Sequence, residues 1–109
     1  MILRFPNTVA DFDKIGRLEL LVEKARKLKK EVENVSKEVK DVPEIDAEVN
    51  GFKDRLDRFE KVCTNLITEI LGGVPIHSAT VAGLEETFKL LAQQWKELMD
   101  KHRLWIIYL

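Results

Sequence analysis

Apolar residues along the chain fall into three long trains in which the steps alternate between three and four. The first runs Leu18, Leu21, Ala25, Leu28, Val32, Val35, Val39, Val42. The second runs Ile45, Val49, Phe52, Leu56, Phe59, Cys63, Leu66, Ile70. The third runs Val81, Leu84, Phe88, Leu91, Trp95, Leu98, His102, Trp105, Leu109. That spacing keeps every member on one side of an α-helix, so each train predicts a helix with a coiled-coil stripe.

The interruptions between trains are chemically apt. Pro43 cannot continue a helix interior, because it lacks the N–H and its ring clashes one turn back, but it suits a first turn. Asp41 is then a candidate N-cap, with Glu44 and Asp46 near the positive end of the helix dipole. Gly72-Gly73-Val74-Pro75 stops the second helix, and Ser78 or Thr80 is placed to cap the third. Asn7 or Thr8 is placed to cap the first. The expected helices therefore cover 8–41, 44–71 and 79–108, each about 42–50 Å long at 1.5 Å per residue. Short connections make each helix antiparallel to the one before. The expected fold is all-α: residues 1–109 as a single antiparallel three-helix coiled-coil bundle. Gly16 and Gly51 fall inside helices, marking either close helix approach or tolerance.

Composition agrees with this picture and narrows the function. Five Gly and three Pro in 109 residues suit long helices better than a many-turned β fold. With 45% apolar and 34% charged residues, the chain has both a core and a charged surface. A net charge of −1 supplies no global attraction to nucleic acid or to anionic membranes. The single cysteine excludes an intramolecular disulfide and fits a reducing compartment. The opening residues lack the apolar run of a signal peptide, and no stretch reaches the roughly 18 apolar residues of a membrane span. A cytoplasmic protein, possessing no membrane span, is the expectation.

Candidate chemistry is sparse. Cys63 lies within the second stripe, where a thiol is a small buried hydrophobe with a raised pKa. His102 lies within the third, either as a pH-sensitive contact or as a histidine satisfied by a neighbour. His77 belongs to a loop. These three make no metal spacing, and there is no phosphate loop or nucleophile triad. The expectation is a chain that is not an enzyme and uses no cofactor. Two surfaces are candidates for partners. Lys24, Arg26, Lys27, Lys29 and Lys30 form a basic run, suited to an anionic partner or, with Glu23, Glu31 and Glu33 beside it, to a solvated face with internal pairing. The C-terminal Trp105, Ile106, Ile107, Tyr108 and Leu109 are apolar on every side, whereas the bundle needs one stripe. Trp105 and Leu109 fall in that stripe. The others either cover Ile2, Leu3 and Phe5 or form an interface to another copy, a partner helix or, through a continuous helix, a following repeat.

The segment from Leu90 to Leu109 resembles the last helix of a spectrin repeat. Trp95 and Leu98 match that family's L-x-x-x-W-x-x-L pattern, with Leu91 one turn before, and Phe12 sits where such repeats often carry an aromatic. The Trp of a repeat's first helix is absent, with Leu21 or Val22 near its place. The resemblance implies a spacer or docking unit in a cytoskeletal or scaffold protein, binding protein partners or a second copy. A co-chaperone module of the BAG kind, or a small subunit of a motor complex such as dynactin, shares the three-helix plan. Against the former, Glu85-Glu86 stands where basic residues are wanted.

Overall fold

Each apolar train folds as an α-helix in the computed structural model, which describes residues 9–108. The helices are α1, Val9–Glu38; α2, Pro43–Leu71; and α3, Ser78–Lys101, with a terminal 3-10 helix at Leu104–Tyr108. The described chain is all-helical, and its helices pack as a bundle measuring 57 × 20 × 19 Å.

The helix ends follow local backbone chemistry. Pro43 forces the residue before it out of the helical region, and Val42 is extended at φ −117°. Val42 is therefore the N-cap of α2, its carbonyl accepting from the Asp46 N–H at 2.9 Å. This corrects the expectation of Asp41 as cap, ends α1 at Glu38 rather than 41, and takes Val42 out of the first stripe, leaving it exposed. Similarly His77, extended at ψ 141°, is the N-cap of α3, and Ser78 is already helical, so neither Ser78 nor Thr80 caps it. The Asn7 or Thr8 cap lies outside the described residues.

At the far end of α2, Gly73 takes φ 88°. Its N–H reaches the Ile70 carbonyl at 3.0 Å and the Val74 N–H reaches Glu69 at 2.9 Å, the paired bonds of a Schellman stop.

The core forms along the three stripes. Leu18, Val32, Val35, Val49, Phe52, Leu56, Cys63 and Val81 are wholly or almost wholly buried, and Trp95 is nearly so. Met99, fully buried, takes the place expected of Leu98, which is only half-buried. A straight helix of 3.6 residues per turn drifts away from a strict 3.5 repeat, and the step of four from Trp95 follows that drift. A Cβ added at Gly16 or Gly51 meets nothing within 4 Å, so these glycines are tolerated rather than required by close packing. Phe12, the early aromatic of the spectrin resemblance, is exposed.

Valines and an alanine make up much of the buried α1 stripe, and the α1 and α2 backbones come within 8 Å over far more of their length than either does with α3. Between α2 and α3 stand aromatic pairs instead. Phe52 meets Trp95 with centroids 5.2 Å apart, and Phe59 meets Phe88 at 5.7 Å, both tilted, a favoured arrangement of rings. These rings occupy the α2–α3 seam. The indole N–H of Trp95 is buried there with no acceptor among the described residues.

Charged pairs fix the order along the rod. Arg26 meets Glu60, Lys29 meets Asp57 and Lys53 meets Glu33, so residue numbers rise on α1 as they fall on α2. Lys101 and His102 meet Glu48, and Arg17 meets Glu85.

Candidate interaction surfaces

The third helix stops earlier than its stripe. After His102 as C-cap, Arg103 takes the left-handed φ of 54°, its N–H bonded to the Asp100 carbonyl at 3.2 Å. The chain then turns into the 3-10 helix. The predicted helix over 79–108 is thereby corrected to one ending at Lys101, and no continuous helix leads through 104–108 toward a following repeat. The turn also exchanges the faces. Leu104 is buried in the core and Ile107 packs against it, whereas Trp105, expected in the stripe, is 40% exposed. Ile106 and Tyr108 are exposed as well. Leu109, and the cover expected from Ile2, Leu3 and Phe5, lie outside the described residues.

This terminal patch is anchored rather than loose. Trp105 Nε1 donates to Asp100, and Tyr108 donates to the Glu31 carbonyl at 3.2 Å. Partial burial, with the Glu31 charge adding to it, raises the Tyr108 pKa. Beside it, Glu48 joins the start of α2 to the end of α3. Its carboxylate accepts from His102 Nε2 at 2.7 Å and from Lys101 Nζ at 2.9 Å. Those two hydrogen bonds, His102 first, hold the Glu48 pKa below its usual value. His102 is thus half-buried and satisfied by a neighbour. His77 is exposed.

The basic run is divided by the helix. Arg26 and Lys29 turn toward α2 and pair with Glu60 and Asp57; Lys27 pairs with Glu23 on its own helix. Lys24 and Lys30 are exposed. A groove of about 450 Å³ between α1 and α2 carries Arg26, Lys27 and Lys30, but also Glu19 and Glu23, so its field is mixed.

A second groove, about 330 Å³ between α2 and α3, was not anticipated from the sequence. Phe59 and Leu91 form its floor, Val62 and Leu84 its walls, and Arg55, Arg58 and Thr87 its rim. Its apolar members belong to the trains except Val62, which is 46% exposed. The groove lies between two helices, a tertiary feature that no periodicity records.

Cys63 is fully buried and its pKa is pushed up to about 11 by desolvation, leaving a protonated thiol of little nucleophilicity near neutral pH. Among the described residues no three His, Cys, Asp or Glu side chains converge as a metal site, and no helix is long and apolar enough to cross a membrane. No protein-family model, curated protein or solved structure matches the chain.

Proposed function

We propose that this chain is a structural and protein-interaction module, not an enzyme: an antiparallel three-helix coiled-coil unit acting as spacer and docking element in a cytoplasmic, cytoskeletal or scaffold assembly. The opposed numbering of the α1–α2 ion pairs and the apolar stripes buried over most of the three helices support the antiparallel coiled-coil reading. Trp95, buried with Leu91 one turn before it, supports the spectrin-like comparison, while Leu98, the other position of the pattern, is half-buried. The observation carrying the functional reading is the terminal patch. Trp105, Ile106 and Tyr108 remain exposed although the turn that presents them is held at Asp100, Glu31 and the core. A fixed aromatic and aliphatic cluster at the end of a rod has the composition of an interface centre.

The test pairs the intact chain with a Trp105→Ser, Ile106→Ser variant. Both residues are largely outside the core, so the helical circular dichroism signal should be retained. The intact chain should hold a defined set of proteins from cell extract, or a second copy in sedimentation, that the variant releases. Identical retention and identical sedimentation for both would remove the patch as the interface.

A further inference from the structure

We infer that the α2–α3 groove is a docking site for an amphipathic helix of another protein, whose apolar stripe lies between Val62 and Leu84 and whose carboxylates meet Arg55 and Arg58. The site is separate from the terminal patch and holds or fails independently of it.

Its shape is that of a helix receptor. Arg55, Arg58, Phe59 and Val62 stand at i, i+3, i+4 and i+7 on α2, and Leu84, Thr87 and Leu91 at i, i+3 and i+7 on α3. Two such stripes border a trough about 10 Å long at 1.5 Å per residue, which matches the anchor spacing of a helix laid in a groove. Leu90, three residues beyond Thr87 and 64% exposed, extends the apolar surface outward.

Charge selects the occupant. Across the α1–α2 face the cations Arg26, Lys29 and Lys53 are each matched by a carboxylate of the chain itself. Lys101 of α3 is matched by Glu48 of α2, but the two arginines on the rim of the groove are not matched. Among the described residues Arg55 and Arg58 have no carboxylate within 4.0 Å, and Arg55 lies over the Phe52 ring at 5.7 Å. Two guanidiniums one turn apart, beside an apolar trough, complement a helix with carboxylates along one edge and apolar anchors beside them. The other grooves lack this combination: the neighbouring α2–α3 groove shares Arg55 but also carries Glu48, Glu97 and Lys101. The α1–α2 groove mixes Glu19 and Glu23 among its bases, and the α1–α3 groove is bridged by Arg17 and Glu85.

The probe is a synthetic helical peptide of about 18 residues, with leucines at i, i+3, i+4 and i+7 and glutamates along one edge, beside a twin carrying lysines instead. With the isotope-labelled full chain, the glutamate peptide should shift the amides of 55–62 and 84–91. Its affinity should fall about tenfold in an Arg55→Glu, Arg58→Glu variant, for which the lysine twin should become the better ligand. Val62→Asp should weaken both peptides, and Trp105→Ser with Ile106→Ser should leave binding unchanged. The inference is overturned by equal affinity for the two peptides, by absent shifts, or by shifts confined to 105–108. A dimer of the chain that Val62→Asp dissociates would assign the groove to a second copy and overturn it equally.

Discussion

At Cys63 a reactive group is made inert by where the helix puts it. The thiol stands in the second stripe between Phe59 and Leu66 and is fully buried, and desolvation alone lifts its pKa to about 11. Because the folded value lies above the ordinary 9.0, this group's contribution to stability is present below that pH and declines as the pH rises past it. Iodoacetamide at neutral pH should therefore alkylate the native chain about a hundredfold more slowly than the urea-unfolded chain. Equal rates would show that the seam opens readily at this point. The burial was legible in the sequence, since the stripe passes through position 63. Met99 was not, because strict heptad counting chose Leu98 and only the real pitch of the helix decides between neighbours.

Two helix ends illustrate how far an element can be read in advance. Gly72-Gly73 announces a stop, and Gly73 carries the left-handed φ of 88° that makes it one. Gly73→Ala should lower stability by about 1 kcal/mol in denaturant unfolding, since a Cβ opposes that backbone. Arg103 performs the same service at φ 54° without the glycine, so the sequence offered no sign that α3 ends at Lys101. Arg103→Gly should relieve that strain and raise stability by about 0.5–1 kcal/mol. A decrease would mean that the arginine side chain contributes more than its backbone costs. The whole reassignment of the C-terminal face, Leu104 inward and Trp105 outward, follows from this one residue. That is why the terminal surface was legible as apolar but not as oriented.

Across the molecule, charged contacts tie the third helix to the other two. Glu48 is held by His102 and then Lys101, and Glu85 by Arg17; in each case the hydrogen bond is the largest influence and lowers the carboxylate pKa below the ordinary 4.5. A depressed folded value gives stability that is present above that pH and lost as the pH falls through the folded pKa. Melting temperature should therefore drop between about pH 5 and pH 3, and Glu48→Gln with Glu85→Gln should flatten that drop while lowering the plateau. An undiminished acid transition in the double variant would place its origin elsewhere. Both glutamates are partly exposed, so added salt should weaken their effect. The bundle itself was readable from periodicity, because three stripes must be buried against one another. The α2–α3 groove was not, because it is formed by residues of two helices that only the packing brings side by side.

The α2–α3 seam has a kinetic consequence. The helix that carries Trp95 and Phe88, the partners of Phe52 and Phe59, shares less of its backbone environment with its neighbours than α1 and α2 share with each other. Local opening follows the least closely packed unit. Amide hydrogen exchange should accordingly divide the chain into two layers of protection. The α1–α2 hairpin should exchange slowest, at the rate of global unfolding, while α3 and the terminal turn exchange together and earlier. Uniform protection across all three helices would mean that the aromatic seam couples α3 as tightly as α1 and α2 are coupled to each other. With two layers, the unit departs as a helix leaving a hairpin, and a partner seated against α3 would slow that departure.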